Sequence, residues 1–152
     1  MNNQKIVWVW VGIAVVVIAI VIAFFWKPGQ EGNTNQPPSS PVPVYAPQGQ
    51  LTPQFPKELI LDNAAVVNDS YAISYSSSTN QETAVWTSSS SMLSLYASYK
   101  QYLPANGWTI TNDITKYSTN RGLYARKDSS ELVISIVTEN KGSQVTIGYV
   151  TK

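Results

Sequence analysis

The sequence predicts an α+β protein: an antiparallel β-sheet with one helix packed on one face, in the order β-β-α-β-β-β-β. It places this domain behind an N-terminal transmembrane helix and a proline-rich disordered linker. Three observations carry the expectation. Residues 57–152 hold six short segments that alternate apolar and polar side chains, the mark of half-buried strands. Between the second and third of them, residues 92–103 switch to a helical period. Far upstream, residues 6–26 carry no charge at all.

That upstream run reads IVWVWVGIAVVVIAIVIAFFW, 21 residues. As a helix at about 1.5 Å per residue it spans about 31 Å, close to the hydrocarbon thickness of a bilayer. Trp8 and Trp10 lie near one end, and Phe24, Phe25 and Trp26 at the other, where interfacial aromatics belong. A cleaved signal peptide needs a shorter apolar core, roughly 7–15 residues, and a small-x-small cleavage site. The run is longer and ends in Phe-Phe-Trp-Lys, which favours a retained anchor. A type IV pilin-like start would show a Gly-Phe-type processing site and an early Glu, and neither is present. The positive-inside bias is slight, Lys5 and the α-amine against Lys27 followed by Glu31, and leans to an inside N-terminus. Residues 1–5 are then a cytoplasmic stub and the C-terminal part is extracytoplasmic. The first expected partner is thus the lipid bilayer, through residues 6–26.

Residues 27–56 contain eight of the nine prolines. With few apolar side chains to offset ordering entropy, the segment reads as a disordered linker. Proline stiffens it toward polyproline II, so thirty residues reach ~90 Å at most. The stretch PPSSPVPVYAP would also suit a proline-reading partner, but such composition is common in spacers.

Residues 57–152 form the expected folded domain, with eight basic and eight acidic residues. Its length suffices for one modest core. ELILDNAAVV opens it with short apolar alternation. In SYAISYS, Tyr71, Ile73 and Tyr75 recur at period two; SSTNQ supplies turn chemistry; ETAVWTS places Ala84 and Trp86 on one face and Thr83, Val85 and Thr87 on the other. Together they predict an antiparallel hairpin. Next, Met92, Leu95, Tyr96, Tyr99 and Leu103 share one face of a helix, which a serine among Ser89 to Ser91 caps.

The helix runs into YKQYLPANGW, whose aromatics raise the question of a binding site. Each residue has a folding role. Tyr99 and Leu103 continue the apolar stripe. Pro104 removes a donor and disfavours helix at Leu103. Asn106 and Gly107 accept positive φ at a helix end. Trp108 starts the next strand. The stretch therefore reads as a helix-to-strand corner. After it, WTITNDI aligns Trp108, Ile110 and Asn112. GLYARK follows the turn STNRG. In ELVISIVT, Leu132, Ile134 and Ile136 share a face, and in SQVTIGYVT so do Val145, Ile147 and Tyr149. Short turns joining these strands predict a meander.

The layout FPKELIL, hairpin, serine-capped helix, LYASYKQYLPANGW and further strands resembles small uncharacterised extracytoplasmic α+β domains of bacterial single-pass membrane-anchored proteins. Tyr99, Leu103, Gly107 and Trp108 carry the resemblance, which covers Phe55 to Trp108 and continues by strand rhythm. More distantly the chain is similar to the α+β modules of accessory lipoproteins in outer-membrane assembly, from which it departs in having no Cys to lipidate. The resemblance implies location and fold, and supplies no catalytic residue.

Composition narrows function further. With no Cys and no His, thiol nucleophiles, disulfides, Cys/His zinc sites and His-based triads are excluded. A net charge of +1 gives no field for nucleic acid. No phosphate-binding glycine loop occurs, so no cofactor is expected. Glu82, Asp113 and Glu131 lie nearest strand ends, but no spacing marks them as a catalytic carboxylate pair. The expectation is a membrane-anchored, non-catalytic binding or assembly module of the cell envelope with an envelope protein as partner, and strand addition at an open sheet edge as one route. The alternative is binding of a glycan or peptidoglycan. The domain has eight Tyr and two Trp but no Phe, and rings with polar tips suit sugar stacking. Tyr71, Tyr75, Tyr117 and Tyr124 are the candidates, against the simpler reading that Tyr is favoured on half-buried strands.

Overall fold

The computed structural model describes residues 41–152. The helix expected at 6–26 and linker residues 27–40 lie outside them. Among the described residues no helix is long and apolar enough to cross a membrane.

Seven strands and one helix follow one another: β1 (Val44–Tyr45), β2 (Val66–Ser74), β3 (Asn80–Ser88), α1 (Met92–Ala105), β4 (Thr109–Ile114), β5 (Asn120–Lys127), β6 (Ser130–Glu139) and β7 (Gly142–Thr151). A 3₁₀ turn at Lys57–Leu59 precedes β2. The strands form one antiparallel sheet in the order β1-β2-β3-β7-β6-β5-β4, with α1 packed on one face. The six expected strands and the helix all occur in the expected order.

The meander is not continuous. After β3 the chain runs through α1 to the far edge of the sheet, and β4 to β7 return by hairpins until β7 pairs with β3. Local alternation specifies which neighbours turn back on each other. It does not say that the last strand fills the place beside β3. Tight backbone approach seals that seam: Gly142 has φ 118°, and a Cβ there would stand 1.9 Å from the Ser88 carbonyl oxygen.

The linker was expected to run to Pro56, and the structure corrects its end. Val44 and Tyr45 pair with Ala72 and Tyr71 as an edge strand. The Ala46 amide donates to the Ser70 carbonyl at 2.9 Å, and the Thr52 amide donates to Ser70 Oγ at 3.1 Å. Phe55 and Leu59 are buried in the core. Prolines set the extended backbone of an edge strand, where a missing donor faces solvent. Phe55 then supplies the apolar anchor that composition alone undervalues.

The core lies between α1 and the sheet. Met92, Leu95, Tyr99 and Leu103 from the helix meet Ala84 and Trp86 of β3, Leu123 and Ala125 of β5, Leu132, Ile134 and Ile136 of β6, and Val145 and Ile147 of β7. Each large buried aliphatic contributes about 1.5–3 kcal/mol. A register shift between Ile110 and Asn112 breaks the expected alignment in β4. Ile110 stays opposite core-facing Ala125, whereas Asn112 moves opposite Tyr124 on the other face. An extra residue in a bulge reverses the alternation beyond it.

Candidate functional site

The corner YKQYLPANGW is built as expected and then does more. Ser91 caps α1 by accepting from the Ser94 amide at 3.2 Å. The helix continues one residue past Pro104, to Ala105. Its end is a Schellman motif: the Trp108 amide donates to the Leu103 carbonyl at 2.9 Å and the Gly107 amide to Pro104 at 3.2 Å, with Gly107 at φ 81°. This closure turns the chain sharply enough to lay Trp108 beside Tyr149 of β7, ring centroids 6.3 Å apart and nearly perpendicular. That is a favourable edge-to-face contact.

Around this contact lies a cavity of about 290 Å³. Tyr102 comes from the last turn of α1 and Asn106 caps that helix, Trp108 directly precedes β4, and Tyr149 lies in β7. The 3₁₀ turn contributes Glu58 and Leu59 behind Pro56, and the tip of the β5–β6 hairpin contributes Lys127, Asp128 and Ser130. Hydrogen bonds hold these walls. Tyr99 Oη donates to the Leu59 carbonyl at 2.6 Å, tying the 3₁₀ turn to the helix. Burial raises the Tyr99 hydroxyl far above the ordinary phenol range, so it stays a donor. Lys127 Nζ donates to the Asn106 carbonyl at 3.0 Å, placing a cation at the helix C-terminus where the dipole favours it. Asp128 takes φ 52°, the left-handed conformation that a tight two-residue turn needs and Asp tolerates. Ser130 Oγ and Tyr149 Oη lie 3.3 Å apart. Partial burial, with the Glu58 charge second, raises the Tyr102 hydroxyl, so Tyr102 also remains a donor. The cavity thus combines three aromatic rings with carboxylate, ammonium and hydroxyl groups.

A family model described as START domain-like matches residues 68–144, just over half of the 152-residue chain. The chain belongs to the START domain-like family. The START domain-like match runs from β2 into β7 and falls within the expected 57–152 domain. It includes Tyr102, Asn106, Trp108, Lys127, Asp128 and Ser130 of the cavity, and leaves Glu58, Leu59 and Tyr149 outside. No curated protein and no solved structure matches the chain.

The four tyrosines singled out in sequence do not form one platform. Tyr71 is buried and packs at a 50° tilt on Tyr45, centroids 5.4 Å apart. Tyr75 Oη donates to Gln81 Oε1 at 3.0 Å. Tyr117 stands exposed between β4 and β5. Tyr124 shares the helix-free face with Tyr71 along the row Tyr71, Thr83, Gly148, Val133, Tyr124. Four strand spacings of ~4.8 Å separate those two by about 19 Å, too far to share one ring. Period-two alternation put them on strands correctly but could not report that distance.

The three acids are also apart. Burial alone would raise the Asp113 carboxyl, but the Lys100 ammonium at 2.7 Å and the Tyr96 hydroxyl outweigh it and hold the group low. Glu131 is held low in the same way, burial opposing, by Arg126 and Lys152. Glu82 is buried and accepts from Thr52 Oγ1. It points to the helix side with Ala84 and Trp86, whereas Glu131 lies opposite Val150 on the other face.

Both sheet edges are blunted. Pro43 and Pro47 flank β1, and β4 carries a bulge with Asn112 and Asp113. Proline, bulges and charge are the usual devices that discourage strand addition.

Proposed function

We propose that the chain is a membrane-anchored, non-catalytic binding module of the cell envelope, which engages its partner through the cavity at the C-terminal end of α1. The cavity is the observation that carries this reading. It is concave, lined by three aromatic rings among apolar and polar side chains, and close to the lower size bound of ligand pockets. The edges are poorer sites for the reasons given. The apolar run 6–26 supports the anchor, and the weak charge asymmetry around it supports an extracytoplasmic domain. Asp113 and Glu131 are committed to ion pairs, which supports the non-catalytic reading.

The test is in-cell photo-cross-linking of the full-length chain with a photoreactive side chain at Tyr102. A reproducible adduct, absent when the probe stands at exposed Leu93 on the same helix, is expected. Adducts of equal yield at both positions, or at neither, overturn the assignment. Turnover of a captured ligand into product would overturn the non-catalytic reading.

A further inference from the structure

We infer that the cavity takes a single pyranose ring of a glycan, stacked against Trp108 and hydrogen-bonded by the polar rim; this rests on the binding reading above and names its ligand. Size comes first. The cavity, about 290 Å³, is roughly twice the ~150 Å³ that holds a benzene. One six-membered ring with its substituents fits, and a second ring must lie outside.

Chemistry comes second. A pyranose offers apolar C–H faces and an equator of hydroxyls that both donate and accept. The cavity presents the matching inventory. Trp108 and Tyr149 meet edge to face, so one ring is held at a fixed angle to the other and presents a rigid aromatic wall. Tyr102 faces the same space from the helix. Glu58 and Asp128 accept from ligand hydroxyls, and Lys127 donates. Lys127 is held by one carbonyl, that of Asn106, and an ammonium has three donors. A purely apolar ligand would strip water from these groups and return no hydrogen bond in exchange. The polar rim therefore selects against an apolar occupant, and the aromatic wall selects against a small inorganic ion.

The site differs from the sequence expectation in its residues. Tyr102, Trp108 and Tyr149 replace Tyr71, Tyr75, Tyr117 and Tyr124, because the Schellman closure and the β7 position bring together rings that are 47 residues apart in sequence (102 to 149).

The experiment is calorimetric titration of the full-length chain, held in a detergent without a sugar headgroup. The probes are cellobiose, a neutral glucose disaccharide, and N,N′-diacetylchitobiose, an amino-sugar disaccharide. Saturable binding of one or both is expected. Trp108→Ala should weaken it about tenfold or more. Because Trp108 packs on the core, Glu58→Gln provides the control for folding. Glu58 is exposed, so the variant should keep the parent's thermal midpoint and still bind several-fold less tightly. Preference between the two probes distinguishes a neutral polysaccharide from an amino-sugar wall polymer. No saturation with either probe overturns the inference, as does binding that neither variant weakens. If the Tyr102 cross-link captures a partner while both sugars fail, the binding module stands and the pyranose falls. If both experiments fail, the cavity reading falls with it.

Discussion

Replacing Tyr99 by Phe tests whether the wall of the cavity is held as described. Tyr99 is 0% exposed and Leu59 1%, and the hydroxyl donates to the Leu59 carbonyl at 2.6 Å. Phe keeps the ring and its packing, so the change removes the hydroxyl's bonds to the Leu59 and Leu61 backbone and leaves almost no cavity. It strands a buried carbonyl, which costs about 1–3 kcal/mol. For a folded unit of roughly 110 residues, each kcal/mol moves the midpoint by about 4 °C, so Tm should fall by about 4–12 °C. Urea unfolding, followed by circular dichroism and tryptophan emission, should show a lower midpoint with the slope unchanged. Tyr102→Phe is the comparison. Tyr102 lines the cavity and is only half-buried, so the change should cost less than about 0.5 kcal/mol. If Tyr99→Phe matches the parent within that margin, the Leu59 carbonyl is satisfied in another way. The 3₁₀ turn is then not pinned to α1 by this bond, and the account of how Glu58 is positioned fails.

Three further outcomes follow from the same structure. Gly142→Ala should abolish the fold or cost several kcal/mol, since a Cβ at φ 118° would stand 1.9 Å from the Ser88 carbonyl oxygen; soluble yield and circular dichroism read this directly. Ser91→Ala should cost about 0.5–2 kcal/mol through loss of the cap on α1, measured by urea midpoint, and Ser91→Asp should restore most of it. Asp113 and Glu131 have folded values below their unfolded ones. Their stabilisation is therefore complete above about pH 5, beyond both unfolded values, and is lost as pH falls through the lowered folded values. Thermal midpoints should drop more steeply below pH 4 in the parent than in Asp113→Asn.

Much of the candidate site was legible as folding chemistry and not as a site. Tyr102, Asn106 and Trp108 sit within one ten-residue stretch, and each has a structural role at a helix end. The remaining members come from three other segments. Glu58 lies just past the end of the expected linker, Lys127 and Asp128 at the tip of the β5–β6 hairpin, and Tyr149 in the last strand. A pattern that is local in sequence contains no term for their convergence. One signal was present: Trp108, just before β4, and Tyr149, in β7, are both large rings with polar tips beside strands whose core residues are aliphatic, and such rings recur where one end is wet.

The sequence by itself determined the elements. Period-two alternation specified six strands, the helical stripe from Met92 to Leu103 specified α1, and Asn106-Gly107 specified where that helix stops. These are local because steric limits on φ and ψ and the burial of one face act over a few residues. Only the tertiary structure decided that Val44 and Tyr45 join the sheet, that β7 lies beside β3, and that a bulge turns Asn112 away from the core. Each depends on pairing between segments distant along the chain. Such pairing is settled by which arrangement buries the shared face most completely, and the cavity is what that packing leaves open at one end.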